Sequence, residues 1–254
     1  MAIRITYVGH ATVLIEMDGT RLLTDPILRG RVAHLRRHTG PWSGLLGEID
    51  GVLISHAHMD HLDMRSLNQL AEGTLLVAPR GTARPLRKRF QVSEVDEDES
   101  IRLGALDVTA THAEHDGRRY AVGKPVPALG FLVAGTHRVF FAGDTDLFDG
   151  MADIGRAGVD LALLPVSGWG SRLPPGHLTP RTAAESLQRL APRVVIPIHW
   201  GTLAPMRARR RSDMQDAPAR EFAAHAAAMA PNTEVIVVSP GDSVELWRDA
   251  GAPV

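Results

Sequence analysis

The chain has 254 residues, a formal net charge of −1, 44% hydrophobic and 22% charged residues. That balance is ordinary for a globular protein and supplies no global basic field for nucleic acid. The lack of cysteine excludes disulfides, thiolate metal sites and cysteine nucleophiles, and no apolar run approaches the roughly 20 residues that span a bilayer.

The opening segments IRITYVG (3–9), ATVLIEMDG (11–19) and TRLLTDP (20–26) are short, rich in β-branched residues and separated by Gly or Asp-Gly turns. They predict a β-meander. Glu16 comes early and there is no long apolar core of a signal peptide, so a cytoplasmic location is expected. Residues 27–50 are polar, basic and aperiodic, and read as a long loop. GVLIS (51–55) is a continuous apolar run, as expected for a strand covered on both faces. DMRSLNQLAE (63–72) predicts a short helix, TLLVAP (74–79) a buried strand, and EVDEDES (94–100) a solvated turn between strands. IRLGALDVTATH (101–112) and ALGFLVAGTHRVFFAGDT (128–145) supply further strands.

VDLALLPV (159–166) then starts a strand–helix alternation. In TPRTAAESLQRLAP (179–192), Thr179 suits the N-cap, Pro180 the first position, and Ala183, Leu187 and Leu190 share a face. RVVIPIHW (193–200) is a strand and APAREFAAHAAAMAP (217–231) a helix; EVIVVS (234–239) and SVELW (243–247) follow as strands. Strands precede helices in each half, which points to two stacked βα layers with sheets inside and helices outside. No linker divides the halves, so one domain over 1–254 is expected.

The segment ISHAHMDHLD (54–63) places three histidines and two aspartates after an apolar run. Without cysteine, imidazole and carboxylate are the ligands left, and they suit zinc, manganese or iron. His56 and His58 are alternate residues, which on a strand share a face and can chelate one ion. Asp60 and His61 fall where the strand must turn, and can aim at a second point. The cluster sits at a strand's C-terminal end, where open α/β sheets place their sites. Four ligands cannot complete two metal shells. Other strand ends offer more: His112 and His115 in ATHAEHDG (110–117), Asp144 in FFAGDTD (140–146), and His199 in VVIPIHWG (194–201).

HAHMDH matches the HxHxDH signature of the metallo-β-lactamase superfamily of hydrolases. YVGHATVLIEMDGTRLLTDPIL (7–28) resembles the opening of the branch containing N-acyl-phosphatidylethanolamine phospholipase D and ascorbate-6-phosphate lactonase. GHLTPRTAAESLQRLAPRVVIPIHWGTL (176–203) resembles that branch's ending. The resemblance implies an α/β fold: a four-layer αβ/βα sandwich with two mixed β-sheets inside, helices outside and two metals in an edge cleft. Carried over, His56, His58 and His115 hold the first metal, Asp60, His61 and His199 the second, and Asp144 bridges both. The chain departs from the branch at His112, where Pro is usual. His112 and His115 compete for one ligand position. His115 fits the branch's pattern of a histidine before Gly-containing polar sequence, which leaves His112 as support behind the ligands.

Two such cations lower the pKa of a bridging water to about 7, from about 15.7 in bulk, and polarise a carbonyl or phosphoryl oxygen. The resulting hydroxide is the expected nucleophile, with Asp60 orienting it. His177, in PPGHLTP (174–180), stands where the branch has a histidine facing the metals. It is expected to protonate the leaving oxygen or steady the oxyanion, the plainer role being to cap the helix. His10 supports the site or packs a turn. Asp25, in LTDP, fixes a metal-binding imidazole by hydrogen bonding or forms a turn. His34, His38, His137 and His225 are assigned to surface or packing. The basic runs at 29–38 and 207–211 either line the cleft rim, suited to phosphate or carboxylate, or form solvated faces.

The expectation is a dinuclear hydrolase, zinc-loaded with manganese or iron as alternatives, acting on a small anionic phosphodiester, lactone or other ester. No nucleic-acid partner and no integral membrane association are expected, and self-assembly is left open. One alternative is a β-lactam or other amide hydrolase, although β-lactamases commonly have Cys, Ser or His where this chain has Asp144. Another is a mononuclear iron oxidoreductase on the same fold, which would leave His61 and His199 spare. A binding protein with a silent site fits poorly with a full ligand set.

Overall fold

The structure is a computed structural model that describes residues 2–39, 42, 44, 46–119, 125–168, 173–207 and 216–247. The expected meander forms: β1 (Ile3–Gly9), β2 (Thr12–Met17) and β3 (Thr20–Thr24) pair antiparallel in order. Next come β4 (Arg31–Val32), β5 (Leu35–Arg37), β6 (Gly51–Leu53) and the one-turn helix α1 (Met64–Leu67). Then follow β7 (Leu75–Pro79), α2 (Ala83–Leu86) and β8 (Gln91–Val95). The chain continues with the hairpin β9 (Ser100–Leu103) and β10 (Leu106–His112), then β11 (Leu129–Ala134) and β12 (Arg138–Phe141). After α3 (Met151–Arg156) come β13 (Leu161–Pro165), α4 (Pro180–Leu190), β14 (Val194–Ile198) and β15 (Leu203–Pro205). Last are α5 (Ala217–Met229), β16 (Glu234–Val235) and β17 (Ser243–Leu246).

Among the described residues these strands make two seven-stranded sheets, ordered β17-β1-β2-β3-β6-β7-β8 and β16-β14-β13-β12-β11-β10-β9. Both are mixed. β3, β6, β7 and β8 run parallel in the first, and β12, β13, β14 and β16 in the second. Every residue of β13 and β14 is buried, as continuous apolar runs in parallel strands require. Ile3, Ile5 and Tyr7 of β1 share one core with Val108, Phe131 and Phe141 of the second sheet, so the sheets meet face to face. The other face of the first sheet packs Val8, Leu23 and Val52 with Leu67 and Leu86 of α1 and α2. α4 and α5 add Leu187, Leu190 and Phe222 to the core on the second sheet's side. The expected four-layer αβ/βα sandwich is therefore present. No helix of the described residues is long and apolar enough to cross a membrane.

α4 forms as read, with a reciprocal capping box between Thr179 and Thr182, Pro at the start, and Ala183, Leu187 and Leu190 buried. Asp96 to Glu99 link β8 to β9 on the surface, so the acidic turn expected over 94–100 is present but shorter, its ends belonging to the two strands. Three readings need correction. The helix over 63–72 shortens to α1, capped by Asp63, which accepts from the Ser66 amide. EVIVVS contributes only β16. The loop over 27–50 contains β4 and β5, and β5 pairs with β15 in a separate three-stranded sheet. Around β4 and β5 the apolar residues Ile27, Val32 and Leu35 cluster with Leu203 from far along the chain. No local periodicity reports such a partner.

The basic run at 29–38 divides. Arg29 pairs with Asp63 at 2.7 Å. Arg37 is neither rim nor solvated face: it is buried, and its guanidinium donates to the carbonyls of Ile27 (2.5 Å) and Val8 (2.6 Å). It thus ties together the backbone just before His10 and just after Asp25. In the second run only Arg207 is described; 208–211 lie outside the described residues, as do 208–215 of the neighbouring stretch. Arg37→Met leaves both carbonyls without their charged donor, and the unfolding free energy in urea is expected to fall by about 2–4 kcal/mol. An unchanged urea midpoint would show that Arg37 is not a staple.

Candidate metal centre

The site is assembled from strand ends. His10 follows β1, Asp25 follows β3, and His199 follows β14, while His56, His115 and Asp144 each lie three residues past β6, β10 and β12. His56 and His58 are thus beyond the strand, not on one of its faces as expected. What aims them is a hydrogen-bonded frame beneath.

That frame centres on Asp25, which is fully buried. Its carboxylate accepts the Ser55 amide (2.8 Å), the Ser55 hydroxyl (2.5 Å) and the Nδ1–H of His61 (2.7 Å). Having donated its hydrogen to Asp25, the Ser55 hydroxyl accepts from Nδ1 of His56 at 3.0 Å. Asp25 thereby fixes the tautomer of both imidazoles, leaving each Nε2 pointing into the site. The Nδ1–H groups of His115 and His199 donate to the carbonyls of Gly176 (2.7 Å) and Ser167 (2.6 Å), with the same effect.

Two groups of ligand atoms result. Nδ1 of His58 lies 2.9 Å from Nε2 of His56 and 3.2 Å from Nε2 of His115. Burial pushes the pKa values of all three rings down, so each favours the neutral form that a metal requires. Asp60, His61, His199 and His10 form the second group, their ligand atoms within 4.8 Å of one another. Burial pushes His199 down to about 3. Its Nε2 is 3.3 Å from that of His61.

Asp144 lies between the groups. It follows Gly143, whose φ of +62° and close approach to Ser55, 2.7 Å for an added Cβ, leave no room for a side chain. The Asp144 oxygens are 3.1 Å from Nε2 of His61, 3.2 Å from Nε2 of His199 and 3.4 Å from Nε2 of His177. Burial works against its charge, but His199, His61 and His177 outweigh that and hold the carboxyl well below the usual range. His61 shows the converse: burial opposes its protonation, and Asp144 and Asp25 together raise it well above the ordinary value.

The donor set fits divalent metal. Lone pairs on five ring nitrogens converge with two carboxylates, and Oδ1 of Asp144 is buried without a hydrogen-bond donor. Two anionic and five neutral ligands suit hard or borderline dications.

The structure therefore brings together His56, His58, Asp60, His61, His115, Asp144 and His199. His177 joins them: its Nδ1–H donates to the Pro174 carbonyl at 3.0 Å and its Nε2 faces Asp144. His10 does more than pack a turn. Its Nε2 is 3.1 Å from Asp60 Oδ2 and its ring centroid 3.9 Å from that of His199. His112 is the exception among the support positions. It is exposed at the end of β10, between Glu97 (3.2 Å) and Glu114 (3.4 Å), away from the cluster. Sequence reasoning missed Ser55, for which a hydroxyl directly before the motif was the available signal. It also missed the carbonyls of Ser167 and Gly176, for which residue type gives none. His34, assigned to the surface, also lines the cavity of about 300 Å³ that opens on the ligands.

The β-lactamase superfamily domain matches residues 20–200. A UPF0173 metal-dependent hydrolase of Methanopyrus kandleri is 32% identical over 95% of this chain and 99% of its own length. An uncharacterized protein of Mycobacterium tuberculosis is 31% identical over 79% of this chain, which spans 60% of that relative's length. Among solved structures, a metallo hydrolase of Ignicoccus hospitalis superposes over 98% of this chain and 100% of its own, with a TM-score of 0.71 at 24% identity, a likeness of fold. Fold and site thus define a member of the metallo-β-lactamase superfamily with a His/Asp cluster able to bind metal. Within that superfamily the chain belongs to the UPF0173 metal-dependent hydrolase family.

Asp25→Asn keeps the volume but removes the charge that holds His56 and His61. Metal affinity, measured by competition with a chromophoric chelator, is expected to fall about 10–100-fold with the far-ultraviolet circular dichroism unchanged. Undiminished affinity would show that the frame does not orient the ligands.

Proposed function

We propose that this chain is a dinuclear hydrolase of small anionic phosphodiesters or lactones and related esters, housed in one domain of two βα halves. The observation that carries this is one buried carboxylate, Asp144, set among ligand atoms of both groups. His56 Nε2, His58 Nδ1 and His115 Nε2 would hold one cation, and Asp60, His61 and His199 the other, with Asp144 shared. Zinc suits this imidazole and carboxylate set, and manganese and iron share its preferences. When bound, such cations supply Lewis acidity, acidifying water to a pKa of about 7 and polarising an acyl or phosphoryl oxygen.

The chain's own groups do the rest. Hydrogen bonding from His10, with His61, holds Asp60 well below the usual carboxylate range against the penalty of burial. Asp60 therefore stays anionic and able to accept a hydrogen bond from the attacking water and orient it. His177 keeps its Nδ1–H on the Pro174 carbonyl, so Nε2 carries the transferable proton. Asp144 raises its pKa despite burial, which favours the protonated form that an acid needs. From there it donates to the leaving oxygen.

The likeness of 7–28 and 176–203 to the phospholipase D and lactonase branch supports phosphodiester or lactone over β-lactam, as does a carboxylate at 144. A mononuclear iron oxygenase would leave His61 and His199 without a task.

Metal analysis of the purified protein is expected to give about two zinc or manganese ions per chain. A panel of chromogenic phosphodiesters, lactones and β-lactams is expected to show turnover in the first two classes. His58→Ala removes metal and hydrolysis while the chain stays folded; full activity in that variant would overturn the ligand assignment. One iron per chain with oxidative turnover would overturn the hydrolase assignment. His177→Ala keeps its metal but loses about 10²-fold or more in kcat, and unchanged turnover would make it structural. Metal stoichiometry falls in His115→Ala and not in His112→Ala.

A further inference from the structure

The cavity over the ligands is lined by side chains of two chemistries. One is metal-site polar: His58, Asp60, Asp144, His177 and His199. The rest is largely apolar, with Ala33, Leu35, Met59, Leu173 and Pro174. Arg119 also lines the cavity and is the only Arg or Lys among its described lining residues.

The guanidinium of Arg119 is anchored without being neutralised. Its Nη1 donates to the carbonyls of Ala57 (3.1 Å) and Leu62 (2.9 Å), the residues that bracket His58 to His61. Both acceptors are neutral, and among the described residues Arg119 has no carboxylate partner. Its neighbour Arg118 behaves differently, its guanidinium closing on the Asp116 carboxylate at the exposed surface. Arg119 is half-buried, fixed to the ligand-bearing loop and turned to the cavity. An uncompensated guanidinium in a partly desolvated wall favours an oxyanion, which it grips with paired donors. Holding the side chain in advance lowers the ordering cost of binding.

We propose that Arg119 is the anion-recognition residue of this site. It takes a carboxylate or phosphate carried by the substrate close to the bond being cut, while a short apolar remainder lies on Leu35, Met59 and Leu173. This deepens the hydrolase assignment above and rests on it for the word substrate, but the anion site is testable without turnover.

The test uses the zinc-loaded full chain and compares wild type with Arg119→Gln, which keeps a polar N–H donor but removes the charge. Hydrolysis of mono-4-nitrophenyl glutarate, which carries a carboxylate, is set against neutral 4-nitrophenyl valerate. Calorimetry measures binding of monomethyl glutarate and of methyl phosphate, which separates the two anion sources. In wild type the anionic ester is expected to be preferred in kcat/KM by about tenfold or more, the value of one charged hydrogen bond. In Arg119→Gln that preference collapses toward equality of the two esters, binding of one or both anions weakens by a similar factor, and zinc content holds. Arg119→Lys restores part of the preference. Equal loss for both esters, or anion binding indifferent to Arg119, would reduce the residue to a support for the loop and overturn the inference. Arg119-dependent anion binding in a protein that hydrolyses no ester, phosphodiester or lactone would sink the hydrolase assignment and leave the anion site standing. If Arg119→Gln loses zinc, Arg119→Lys carries the comparison: it must bind the anions more weakly than wild type at full zinc content, and equal binding overturns the proposal.

Discussion

A carboxylate with no exposure to solvent has to be satisfied where it lies, because burying its charge without donors costs several kcal/mol. Asp25 is in that position. Its requirement is met by the segment that follows β6, through the Ser55 amide and hydroxyl and through His61. One interaction therefore solves two problems. It anchors the ligand-bearing loop to the end of β3, and it decides which nitrogen of His56 and His61 faces the site. The backbone is bent to suit: Asp25 has a φ of 31°, an uncommon value that fixes where the carboxylate stands.

The second requirement is to join the edges of two sheets. His10 and His199 have φ values of 60° and 66°, and the His199 amide donates to the His10 carbonyl at 2.7 Å. Gly9 beside them packs against Thr202, closer than any Cβ allows. The Tyr7 hydroxyl donates to the Trp200 carbonyl and accepts from the Trp200 amide, so both backbone groups after His199 are satisfied in the interior. Contacts of this kind bring ligands from the two halves within reach of one another. They also concentrate negative charge at Asp60 and Asp144, which cations are suited to neutralise.

Much of this was legible in the sequence. The HxHxDH spacing, Asp144 and His199 all followed apolar runs, and such runs mark strand ends where function gathers. Thr179, Pro180 and the apolar spacing of α4 were local signals for a local structure. The gaps have a common cause. β4 and β5 are strands because of β15, and α1 is short because the chain after Leu67 serves a turn; neither fact leaves a periodic trace. Arg37 looked like part of a basic surface run, and only the fold shows it inside, on two carbonyls. His112 and His115 could not be ranked by composition. The end of β10 separates them, leaving His112 at the surface between two glutamates and carrying His115 onward to the cluster.

The central proposal is that Asp144 would stand between two cations held by ligands from both sheets. Crystals of the zinc-loaded protein measured at the zinc absorption edge test it most directly. Two anomalous peaks about 3.5–4 Å apart on either side of the Asp144 carboxylate are the expected result, one against His56, His58 and His115 and the other against Asp60, His61 and His199. A single peak, or peaks remote from Asp144, would contradict it.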